Sequence, residues 1–129
     1  MKRLLLVFLT VFSIIALVGC GQEQNTTETP SLQAEVTLSS PSEGISLVNR
    51  APTFTWTCSV EASSYKIQIS VERSFGRPMI DEEVTGTSYS IPAGKLTHDK
   101  TYFWRVQAIK GGKSSAWSKI STFKTIFLG

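Results

Sequence analysis

From residue 52 onward, apolar and polar side chains alternate in short runs. In Pro52 to Cys58, the residues Phe54, Trp56 and Cys58 fall on one side of an extended chain and Thr53, Thr55 and Thr57 on the other. In Ser64 to Val71, the residues Tyr65, Ile67, Ile69 and Val71 oppose Lys66, Gln68 and Ser70. A period of two marks a strand with one buried face. Shorter runs at Met79 to Val84 and Ser88 to Ile91 are further candidates. Thr101 to Ile109 gives the strongest pattern, with Tyr102, Trp104, Val106 and Ala108 opposite Phe103, Arg105 and Gln107; Lys119 to Thr125 closes the set.

Breakers separate these runs: Pro41 and Gly44, Gly76 and Pro78, Gly86, Pro92 and Gly94. Gly111-Gly112 suits a hairpin turn that needs positive φ. No stretch after residue 33 shows helical period or capping. About seven short strands in under a hundred residues predict an all-β, two-sheet antiparallel sandwich.

The first residues follow another pattern. Lys2 and Arg3 precede the uncharged run at 4–18, which as a helix spans roughly 22 Å, short of the roughly 30 Å hydrocarbon core. A basic start, an apolar middle and small residues before a break match a secretory signal peptide, here residues 1–19. Leu17-Val18-Gly19-Cys20 resembles the lipobox of bacterial lipoproteins. The resemblance implies cleavage before Cys20, a diacylglyceryl group on its sulfur, and attachment to a membrane through lipid chains. Residues 20–33 are then the lipidated cysteine and a polar tether without enough apolar surface to fold. The sequon-like Asn25-Thr26-Thr27 carries no weight in a bacterial chain.

Removing the leader changes the charge. Loss of Lys2 and Arg3 takes the basic count from 13 to 11 against 10 acidic residues, a net of +1 in place of +3. No basic patch remains to mark a nucleic-acid partner. With Cys20 acylated, Cys58 is a lone thiol; its place on the apolar side of its strand makes it a small core residue, the other reading being a reactive or intermolecular thiol.

The stretch from Ser40 to Thr125 resembles the bacterial fibronectin type III-like, or immunoglobulin-like, domain. The matching residues are Ser40-Pro41 and Gly44, Pro52 to Trp56, Ala62, Tyr65 to Ile69, Leu96, Tyr102 to Ala108, and Ser115 to Ser118 before Phe123. This gives a domain at 34–129. The resemblance implies that Trp56 is the buried tryptophan of the second strand, that Leu96 and Tyr102 form a tyrosine corner, and that Trp104 fills the rest of the core. Trp117-Ser118 resembles half of the Trp-Ser-x-Trp-Ser motif of cytokine-receptor members of this fold, with Ser114 where the other tryptophan would stand. By that likeness Arg105 stacks on Trp117, stiffening the surface or forming a ligand platform.

The residues available for chemistry are few. His98 sits in a loop beside Asp99 with no second imidazole, and a metal site or nucleophilic relay needs convergent groups. Asp81, Glu82 and Glu83 are consecutive on a strand and point to alternate faces, unlike a calcium cage. There is no phosphate-binding Gly-rich loop, so neither a cofactor nor an enzyme is expected. Phe103, large and predicted to face outward beside Arg105, marks a candidate interaction surface with Arg105 and Trp117, unless Phe123, Ile120 or the terminal residues cover it. Two functions follow. One is a lipid-anchored module of the bacterial cell envelope that binds protein or polysaccharide. The other is an accessory or spacer lipoprotein docked to a larger envelope assembly through an exposed sheet edge. Gly21 is not the Asp that holds lipoproteins at the inner membrane of enteric bacteria, so the outer membrane is an allowed address in a two-membrane cell, and the outer face of the plasma membrane otherwise.

Overall fold

The alternating runs become strands that bury their apolar sides against one another. A computed structural model describes residues 31–129; the leader, Cys20 and the tether up to Pro30 lie outside the described residues. Nine strands run β1 (Val36–Ser40), β2 (Ile45–Leu47), β3 (Thr53–Cys58), β4 (Ser64–Ser70), β5 (Ile80–Val84), β6 (Ser88–Ser90), β7 (Lys100–Lys110), β8 (Lys113–Ser114) and β9 (Ser121–Thr125). They form a three-stranded sheet, β1-β3-β6, and a larger sheet, β2-β9-β7-β4-β5, with β8 also on β7. The expected sandwich is present. The strands beyond about seven are short: β2 and β8 hold too few residues to display a period. At Gly111-Gly112 both φ angles are positive, 60° and 77°, as the hairpin between β7 and β8 requires.

The first part of the chain serves both sheets. β1 pairs antiparallel with β3, and β2 pairs parallel with β9. Glu43, in the crossover between β1 and β2, holds this exchange. Its carboxylate accepts from Thr122 N–H at 2.8 Å, Thr122 Oγ1 at 2.9 Å and Ser121 Oγ at 3.1 Å. Gly44 N–H donates to the Thr122 carbonyl at 2.8 Å. These donors hold the Glu43 carboxyl below its ordinary value, the Thr122 backbone contributing most.

Between the sheets lies an aromatic core. Phe54 meets Trp104 edge-on at 4.9 Å and Phe123 at 5.6 Å, Trp56 meets Tyr65 at 5.6 Å, and Tyr102 stacks on Phe123 at 5.3 Å. Offset and edge-to-face pairs of this kind add to the burial of the rings. Neither Trp56 nor Trp104 finds a hydrogen-bond partner for its indole N–H among the described residues, so packing holds both. Leu96 is fully buried, and Thr97 N–H donates to the Tyr102 hydroxyl at 2.9 Å, as a tyrosine corner requires. The core closes within Val36 to Phe123, so a chain beginning at Gly21 keeps every contact described here.

Three expectations change. Gln68 and Ser70 are buried, although alternation placed them in solvent: Arg105 lies against Gln68 with Phe75 over its guanidinium, and Glu72 N–H donates to Ser70 Oγ. Val71, expected on the apolar face, lies past the end of β4 and is half exposed. Cys58 is half-buried at the margin of the core, with its thiol free.

Trp104→Ala should cost about 3 to 5 kcal/mol and Tyr102→Phe about 1 kcal/mol, both read from urea unfolding of the chain begun at Gly21. For Glu43 the folded state holds the carboxyl ionised while the unfolded chain still binds a proton, so its contribution is present above the ordinary value of 4.5 and fades as pH falls through and below it. The stability gap between wild type and Glu43→Gln should therefore narrow across that window.

Candidate functional site

The outer face of the larger sheet is organised by β7. Its pairing with β4 sets Phe103 opposite Ser70, Arg105 opposite Gln68 and Gln107 opposite Lys66. Its pairing with β9 sets Phe103 opposite Thr122. Phe103, Arg105 and Gln107 are half-buried and their neighbours Tyr102, Trp104, Val106 and Ala108 are buried, the parity that the sequence predicts.

Arg105 lies between two aromatic rings. Its guanidinium carbon is 4.1 Å from the Trp117 ring centre and 4.2 Å from that of Phe75. Nε and Nη2 both donate to Gln68 Oε1, at 3.0 and 2.8 Å. Burial lowers the affinity of this guanidinium for its proton, and the Asp81 carboxylate opposes the shift. The structure thus joins Arg105 to Trp117, and Phe103 stands two residues along the same face under Arg73, whose guanidinium is 5.6 Å from its ring centre. Phe103 is therefore half covered by an arginine, not by Phe123, which lies in the core, nor fully open to solvent.

Phe75 and Arg73 were not legible as site residues. They lie in a loop, where no period reports orientation, and the only signal was a large aromatic between Arg73 and Arg77 beside Gly76. Phe75 adopts a positive φ of 55°, an unusual backbone for a bulky residue, and its ring closes the second side of the stack.

Trp117 is held by the serines around it. Ser115 N–H donates to the Ala108 carbonyl at 2.9 Å and Ser118 N–H to the Val106 carbonyl at 2.8 Å. In return Ala108 N–H donates to Ser115 Oγ at 2.9 Å and Val106 N–H to Ser118 Oγ at 3.1 Å. Side-chain hydroxyls thereby satisfy strand N–H groups that a regular ladder would pair with carbonyls. The spacing of three between the serines leaves Trp117 free to turn onto Arg105.

Trp117 also lines an open groove of about 660 Å³. One wall is Ala34 to Leu38, which includes the outer edge of β1, and the other is Ala116 to Ser121, with Glu43 between them. Among the described residues β1 pairs only with β3, so its other edge lies at the groove beside an aromatic ring. Glu35 and Lys119 line the groove as well, and the Glu43 carboxylate is taken up by Ser121 and Thr122. His98 is elsewhere, its Nδ1 3.3 Å from the Ile126 carbonyl and its ring against Phe127. Asp81 pairs with Lys66 at 3.3 Å, and Glu83 accepts from Ser64. Among the described residues no cluster of three or more His, Cys, Asp or Glu side chains is placed to hold a metal. The surface can offer ring faces, guanidinium donors and strand-edge hydrogen bonds, the chemistry of recognition.

Arg105→Lys keeps the charge but loses the planar stack and the fork onto Gln68. It should cost about 1 kcal/mol in urea unfolding, and in a double-mutant cycle this cost should shrink once Trp117 is Leu.

No curated protein sequence matches the chain. Among solved structures it is similar to the sixth fibronectin type III domain of human fibronectin type III domain containing protein 3, with TM-score 0.54, 17% identity and coverage of 82% of this chain and 95% of that one. A fibronectin type III domain from human KIAA0970 protein gives TM-score 0.52, 18% identity and coverage of 74% and 73%. The α-L-rhamnosidase of Streptomyces avermitilis, complexed with L-rhamnose, gives TM-score 0.51 and 19% identity over 72% of this chain and 10% of the enzyme. These identities speak for the fold alone. The family model of the Rha78A-like, N-terminal immunoglobulin domain matches residues 34–129, three quarters of the sequence, and the chain belongs to that family.

Proposed function

We propose that the chain is a lipid-anchored protein of the bacterial cell envelope, acylated at Cys20, whose sandwich is a non-catalytic module that binds an envelope protein or polysaccharide. The observation that carries this reading is the groove beside Trp117, where a ring stiffened by Arg105 meets the edge of β1 that no described strand pairs. The aromatic offers a face to a sugar ring or an apolar side chain, and the strand edge offers backbone donors and acceptors. Phe103 and Arg105 extend the same surface across β7. The lipobox resemblance at Leu17 to Cys20 supports the anchor.

A second reading has its own support. The family takes its description from an N-terminal immunoglobulin domain, and a rhamnosidase carries a similar fold in a tenth of its length. A small accessory lipoprotein that docks to a larger envelope protein by adding a partner strand to β1 uses the same groove. The two readings differ in where the chain works: the first reaches outward past the envelope, and the second stays beside the assembly it joins.

The test is retention of native envelope material by the acylated chain, beside Trp117→Ala and Cys20→Ala. The proposal expects a specific partner that Trp117→Ala loses by tenfold or more while still folded, and loss of membrane fractionation in Cys20→Ala. A partner destroyed by protease is a protein, which both readings admit, and one that survives protease but not glycosidase supports polysaccharide and the first reading. Retention that ignores Trp117, or membrane fractionation that ignores Cys20, contradicts the corresponding half of the proposal.

A further inference from the structure

One end of the sandwich differs in chemistry from the rest. It is formed by the connection from Val48 to Pro52, the connection from Ile91 to Asp99, and the residues that follow β9. Phe127 and Leu128 are 61% and 69% exposed, the most open of the large apolar side chains among the described residues, and Val48 beside them is 49% exposed. On these segments, or on the strand residues that adjoin them, are Arg50, Lys95, Lys100 and Lys124, with Asp99 the acid among them. The remaining described residues carry seven basic and seven acidic side chains, so the positive excess is concentrated at this end.

The patch is tied to the fold. Ile126 N–H donates to the Leu47 carbonyl at 2.9 Å, continuing the parallel pairing of β2 and β9. The Phe127 ring meets the His98 ring edge-on at 5.0 Å. Arg50 Nη1 donates to the Leu96 carbonyl at 3.3 Å. Beside this lies a shallow cleft of about 380 Å³ with Arg50 and His98 on its walls and Gly94 at its rim.

We infer that this end of the domain docks onto an anionic phospholipid surface, with Phe127, Leu128 and Val48 entering the headgroup layer and the four cations facing lipid phosphates. Exposed apolar tips inside a basic ring fit a charged bilayer, where burial and electrostatic attraction act together. A soluble polyanion would engage the cations and leave Phe127 and Leu128 in water. A protein partner fits less well, since lysine is depleted at protein interfaces and three of these four cations are lysines. The inference does not depend on acylation of Cys20.

The test uses the chain begun at Gly21, which lacks both leader and Cys20, so its failure leaves the anchor proposal untouched. Vesicles of phosphatidylcholine with and without phosphatidylglycerol are sedimented with wild type, Lys95→Glu/Lys124→Glu, and Phe127→Ser/Leu128→Ser, each checked for an unchanged melting transition. Binding is expected only with phosphatidylglycerol, weakened about tenfold or more by either pair of substitutions. Absence of binding to anionic vesicles overturns the inference. So does binding that the Phe127/Leu128 pair leaves unchanged while heparin competes fully, since the surface would then be a polyanion site.

Discussion

The structure depends on the two-residue alternation of β7. One side of this strand supplies Tyr102, Trp104, Val106 and Ala108 to the core, and the other supplies Phe103, Arg105 and Gln107 to the outer face. Because β7 pairs with β4, β8 and β9, a slip of one residue would exchange the two sets and bury a guanidinium in place of an indole. Core and surface are therefore specified by the same eleven residues. Glu43 and the two serines of Ser115 to Ser118 then fix what flanks them, by supplying side-chain partners where the chain leaves regular strand.

This arrangement divides the aromatic residues by task. Trp56 and Trp104 hold the sheets together and offer nothing to a ligand. Trp117 sits outside, rigid because Arg105 is gripped by Phe75 and Gln68. An aromatic whose orientation is already fixed loses little side-chain entropy on binding. Stiffness and recognition are compatible uses of the same stack, since Trp117 lines the groove while Arg105 holds the ring.

Much of this was legible in the sequence, for physical reasons. Long strands announce themselves by period, so β3, β4 and β7 and their buried rings could be named in advance; the tyrosine corner of Leu96 and Tyr102 came from the family resemblance, not from period. The pairing of Arg105 with Trp117 followed from parity and from the resemblance around Ser118. What stayed hidden lies where period carries no information. β2 and β8 are too short to show one. The burial of Gln68 and Ser70 depends on a loop folding back over β4, and Phe75 on a backbone conformation that its residue type disfavours. The groove arises from two segments some eighty residues apart, and neither alone marks it.

The central claim is that this domain acts by contact, through the edge of β1 beside Trp117. It is tested most directly by placing a photo-crosslinking side chain at Thr37, on β1 at the groove, and at Glu82, on the far strand β5, in the full chain expressed in its native cell. The account predicts a discrete cross-linked species from Thr37 and none from Glu82. Equal labelling from both positions, or none from Thr37 in a folded chain, would contradict it.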